Sequence, residues 1–146
     1  MAPEGMVHAL LGARAWLNSA GRLVDLRPTS EAAVLEVHLA SGTVAAGCVV
    51  DLEGQAGPQR RHAQAEAAAA TAVARGWFAL EDRHELTFRR YADSAVEMRD
   101  YVASKWSGGA LEAGALERAE ALLRTEPDAA LCVREQVTIA RLRPLG

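Results

Sequence analysis

Lysine is almost missing from this 146-residue chain. Fifteen of its sixteen basic residues are arginine, and Lys105 is the exception. No segment is strongly of one sign, and the net charge is −3. Without a basic stripe interleaved with aromatics, the electrostatic footprint of nucleic-acid binding is absent, and no nucleic acid is expected as a partner. Aromatic residues are few, at 5%. The two cysteines, Cys48 and Cys132, each sit inside an apolar strand-like run. Free thiols in such runs ordinarily serve as small buried side chains in a reducing compartment. No apolar run approaches the roughly 20 residues of a membrane helix. No basic segment followed by an apolar one marks a secretory signal. A cytoplasmic protein with no membrane partner is therefore expected. Nucleophile elbows, Cys–His pairs at useful spacing and paired carboxylates on a recognisable scaffold are also missing, so no catalytic residue is assigned.

What is present suffices for one domain over residues 1–146, large enough to bury a core without disulfides or metal. Residues 9–17 read as a short helix, 18–21 as a polar turn and 22–28 as a strand. Leu35, Val37 and Leu39 alternate with Glu36 and His38 in the two-residue period of a half-buried strand. Residues 40–43 carry a hairpin turn signal, and residues 44–52 supply the returning strand. Gly47 within that strand suggests a bulge or a close backbone approach.

Eight alanines between Ala63 and Ala74 mark a helix over about residues 59–75, stopped by Gly76. Their small side chains give the helix a thin side suited to packing rather than exposure. Residues 77–91 form a strand, strongest at Leu86, Thr87 and Phe88. Ser94 and Glu97 form a capping-box pattern opening a helix with Met98, Tyr101, Val102 and Trp106 on one face. Residues 107–109 break that helix. A second one follows, with Leu111, Ala115, Ala119 and Leu122 in one stripe. The last strand spans residues 130–143, where Glu135 interrupts an apolar face and is expected to meet an arginine or mark a bulge. This order predicts an α+β class, an incomplete α/β layer. Its mixed, mainly antiparallel sheet would have about four to five strands with helices packed on it.

The run Gly21-Arg22-Leu23-Val24-Asp25 and the closing Arg141-Leu142-Arg143-Pro144 resemble the C-terminal portion of class I S-adenosylmethionine-dependent methyltransferases. The order of elements is similar over nearly the whole chain. The resemblance implies that residues 22–28 correspond to the family's fifth strand, with the hairpin inserted after it. It also implies that the last strand lies antiparallel between the family's fifth and sixth. The family's cofactor half, with its Gly-rich turn and ribose carboxylate, has no counterpart, and the chain contains no G-x-G. No S-adenosylmethionine or other cofactor is expected.

Four residues remain as ligand-binding candidates. Asp25 and Arg27 stand near the carboxyl end of the first strand, where open α/β sheets place their ligands. Arg27 suits an anion, and the plain alternative is an ion pair or a loop anchor before Pro28. Glu36 and His38, two apart on a strand, project from one face and could bind a metal or pass a proton. Two ligands are not a site, so the pair reads as a solvated face and no metal is expected. The function anticipated is a non-catalytic, methyltransferase-like domain acting through self-association, as a homodimer, or through a partner protein. An apolar strand at residues 23–26, lacking the family's fourth-strand neighbour, invites pairing with another chain. The alternatives are the substrate-binding subunit of a split methyltransferase and a small-ligand module using the face of Glu36 and His38.

Overall fold

The computed structural model describes residues 3–52 and 58–146. Ten elements follow in order: α1 (Pro3–Trp16), β1 (Leu23–Pro28), β2 (Val34–Leu39), β3 (Gly42–Asp51), α2 (Pro58–Ala74), β4 (Phe78–Ala92), α3 (Ala95–Lys105), β5 (Gly109–Leu111), α4 (Ala115–Leu123) and β6 (Ala130–Pro144). The class is α+β, as the residue pattern predicts, with six strands rather than four to five. The extra strand is β5. Leu111, expected in the stripe of a helix, instead pairs with Val49 of β3. The helix starts later, at Ala115, behind Gly114 at φ +77°. A left-handed backbone there favours glycine and sets the boundary that the leucine spacing conceals. Strand order is β1-β6-β2-β3-β5, and β4 pairs with β6 off that path. No helix among the described residues is long and apolar enough to cross a membrane.

The chain divides into two compact units. The first, here the terminal unit, comprises residues 1–30, 60–86 and 137–146. In it β1 pairs antiparallel with β6, Leu23 opposite Leu142 through to Pro28 opposite Val137. β4 runs antiparallel along β6 as well: Leu145 N donates to Trp77 O at 3.0 Å, and Thr138 Oγ1 to His84 O at 3.5 Å. α2 stops as its sequence dictates. Gly76, at φ +70°, donates to Val73 O while Trp77 N donates to Ala72 O, closing the last turn. α1 starts at Pro3, ahead of the residues whose pattern marks it. The core here is small: Ala72, Phe78 and Leu142 are fully buried, with Leu10, Leu17, Leu23, Val73 and Trp77 around them.

The hairpin unit comprises residues 31–59 and 87–136. β2 pairs antiparallel with β3 and with β6. The register shifts beside Glu36, so that Leu35 faces Gly47 and Glu36 faces Ala45. Gly47 fulfils both expectations for it, since a Cβ there would stand 2.5 Å from Ala115 Cβ on α4. Helices α3 and α4 cover one face of the hairpin, and Leu35, Val37, Val49, Met98, Val102, Leu131 and Val133 form the dry core between them. Ser94 caps α3 by accepting from Glu97 N at 3.1 Å. The Glu97 carboxylate takes Asp93 N rather than the cap's own amide. Glu135 is buried against Lys105 Nζ at 3.1 Å, so its partner is the single lysine and not an arginine.

Candidate functional site

Asp25 and Arg27 alternate with Val24 and Leu26 along β1, so the two pairs point to opposite faces. Arg27 Nε donates to Asp25 Oδ2 at 2.8 Å, the ion pair foreseen as the plain reading. The pair is not spent by that contact. Arg27 Nη1 is buried without a hydrogen-bond partner among the described residues, an open donor that costs stability unless something accepts from it. Val24 and Leu26 are 58% and 63% exposed, on a strand whose single partner among the described residues is β6.

A groove of about 490 Å³ lies beside this strand, walled by Leu10 of α1 and by Ala65, Ala68 and Ala69 of α2. All five residues from Leu23 to Arg27 line it, whichever face they point to. The groove therefore follows the free edge of β1 rather than one of its faces. Its walls stand apart because α2 presents alanine there, too short to fill the space. A second hollow of about 370 Å³ shares Asp25 and Arg27 and adds the Glu66–Arg83 pair, 3.2 Å apart.

Glu36 and His38 occupy a different setting from the solvated face that their alternation suggests. Glu36 is only 7% exposed. The register of β2 on β6 places Cys132 directly opposite Glu36, which sequence distance hides: Cys132 and His38 are 94 residues apart. Cys132 Sγ lies 3.4 Å from His38 Nε2 and 4.0 Å from Glu36 Oε2, and His38 Nε2 lies 3.5 Å from Glu36 Oε2. Arg134, two residues along β6, donates from Nε to the other carboxylate oxygen, Oε1, at 2.5 Å. The Tyr91 ring meets the His38 ring edge-on.

This cluster is not built as a thiol–imidazole–carboxylate relay. Such a relay needs the thiol and the carboxylate on opposite ring nitrogens, and here both approach Nε2. Burial, reinforced by the Glu36 charge, pushes the Cys132 thiol up to about 11, so it is protonated at neutral pH and not an activated nucleophile. Cys48 is raised as well, chiefly because its thiol donates to Glu112 Oε2 at 3.1 Å. Another acid–histidine pair, Asp82 and His84, lies exposed on β4. Its carboxyl is held down by the hydrogen bond from His84.

No protein-family model, no curated protein and no solved structure matches this chain.

Proposed function

We propose that the protein is a non-catalytic binding domain that self-associates through the free edge of β1. The observation that carries this reading is the open, apolar edge of β1, a strand paired with β6 alone among the described residues and exposing Val24 and Leu26. An antiparallel pair of identical strands must keep each side chain on its own face, so a two-fold axis can pass through Leu26. Leu26 then faces Leu26 of the second copy, and Asp25 faces Arg27 twice. Asp25 and Arg27 thereby form two opposite-charge pairs across the seam, and Val24 and Leu26 gain apolar neighbours on the adjacent strand. An axis through Asp25 instead would bring the two Asp25 carboxylates together, which disfavours that register. Pro28 lacks an N–H and is tolerated within a sheet only at such an edge.

A closed two-fold pairing covers both edges at once, and it is the commonest arrangement among oligomers. The methyltransferase-like reading draws support from the flanking of β6 by β1 and by β4, both antiparallel to it. Light scattering at micromolar concentration tests the proposal. It requires twice the 15.5 kDa of one chain. The double variant Val24→Lys, Leu26→Lys should be a folded monomer by circular dichroism. A wild-type mass of one chain rules the dimer out, and a double variant that stays dimeric moves the interface away from β1.

A further inference from the structure

We propose that Glu36, His38 and Cys132 form a binding site for a divalent transition ion of the zinc class. The argument is geometric. Three donor atoms of three kinds, a carboxylate oxygen, an imidazole nitrogen and a sulfur, converge at separations of 3.5, 3.4 and 4.0 Å. A tetrahedral ion with metal–sulfur bonds of ~2.3 Å and metal–nitrogen or metal–oxygen bonds of ~2.0–2.1 Å spaces its ligands roughly 3.3–3.6 Å apart. Two of the three edges already fit. The third closes with a shift of a few tenths of an ångström in one side chain. Among the described residues, no other group of His, Cys, Asp or Glu side chains brings three donor atoms together in this way.

The surroundings support an ion at this point. Arg134 holds Glu36 by Oε1 and leaves Oε2 turned toward the thiol and the imidazole, the usual role of a group that orients a ligand from behind. Glu36 and His38 share a face of β2 by their two-residue spacing, and Cys132 is the cross-strand partner of Glu36. Paired strands therefore set all three positions, with no loop involved. The His38 side chain is 28% exposed, which leaves an approach from solvent and a fourth coordination position for water. A sulfur–nitrogen–oxygen donor set favours zinc, cobalt or nickel over calcium or magnesium, which prefer oxygen alone.

Cobalt(II) titration of metal-free, reduced protein tests the site without any assumption about activity or assembly. One equivalent should produce a thiolate-to-cobalt charge-transfer band together with the visible bands of a tetrahedral ion. Cys132→Ser should abolish the charge-transfer band, and His38→Ala should weaken binding at least tenfold. Cys48→Ala, which removes the other thiol, should leave both features unchanged. Absence of the band in the wild-type protein overturns the proposal whatever the variants do. So does a band that survives Cys132→Ser or disappears in Cys48→Ala. The readout is independent of β1, so the metal site and the dimer stand or fall separately.

Discussion

The two units use the same elements to opposite effect. In the hairpin unit, thirteen described residues are buried in one continuous cluster between the strands and helices α3 and α4. In the terminal unit the buried cluster among the described residues is Ala72, Phe78 and Leu142, and Ala68, Thr138 and Ala140 are buried outside it. The cause lies in the side chains that each helix turns inward. α3 presents Met98 and Val102 to its sheet, whereas α2 presents alanine, which buries little area and leaves room beside it. The unit that packs densely keeps its polar chemistry as an ordered cluster on the sheet. The unit that packs thinly keeps a groove and an open strand. Order in one and vacancy in the other are two outcomes of the same arithmetic of side-chain volume.

The largest expected effect sharpens that contrast. Leu35 is fully buried in the larger core, and Leu35→Ala should cost about 3 kcal/mol, the transfer term plus the cavity it leaves. Leu23, only partly buried beside the smaller core, should cost about 1 kcal/mol when cut to alanine. Urea unfolding of both variants gives the comparison. Equal losses would mean that the terminal unit is as tightly packed as the hairpin unit, and the distinction would fail.

Gly47→Ala comes next. Its new methyl would sit 2.5 Å from Ala115 Cβ and 3.0 Å from Glu112 Cγ, so α4 must move off β3. Overpacking of this kind costs about 1–3 kcal/mol. It should also disturb Glu112, which accepts from both the amide and the thiol of Cys48 at 3.1 Å. Thermal unfolding measures the loss, and alkylation of Cys48 should quicken in the variant. An unchanged melting temperature would show that the helix is free to shift.

Lys105 tests the hairpin unit from its rim. Its ammonium meets buried Glu135 and lies within 5.1 Å of the Phe88 and Trp106 ring centres. Lys105→Ala removes the charge and leaves Glu135 buried without it, a loss of about 1–2 kcal/mol for a pair half open to water. Burial, the largest single influence, would pull the lysine down, but Glu135 and Tyr101 together outweigh it and the net shift is upward. The stabilisation is therefore complete below the ordinary lysine value of ~10.4 and disappears only as pH rises through the higher folded value. Stability of the wild type that already declined between neutral pH and pH ~9 could not come from this pair.

What the residues alone make legible follows from how local each signal is. Gly76 ends α2 and Ser94 starts α3 because caps act within one turn of the helix. The period of two at Leu35, Val37 and Leu39 finds β2 for the same reason. The site around Glu36 escapes such reading because its third member arrives by strand register. The same alternation that hides Leu35 and Val37 in the core implies that Glu36 and His38 face water, and the packing of β6 and of Tyr91 from β4 contradicts that. Glu135 is similar: its apolar surroundings are visible along β6, but its partner comes from α3. The open edge of β1 is legible in its apolar run, whereas the unpartnered Nη1 of Arg27 depends on long-range packing that the run does not encode.

The smallest effect expected is a gain, and it probes the terminal unit where packing cannot interfere. Gly12 sits inside α1, exposed, with nothing within 4 Å of the position that a Cβ would occupy. Its backbone φ is not positive, so alanine adopts the same conformation without strain. Glycine in a helix interior is weaker than alanine by roughly 0.5–1 kcal/mol, because the unfolded chain has more freedom to lose. Gly12→Ala should therefore stabilise α1 by about that amount, seen as slower amide exchange through the helix. It stands opposite Gly47→Ala: the same added methyl, one unit loosened and the other firmed. Should Gly12→Ala destabilise instead, that face of α1 is covered in solution. The terminal unit would then owe its thin appearance to a partner surface that Gly12 helps to accommodate.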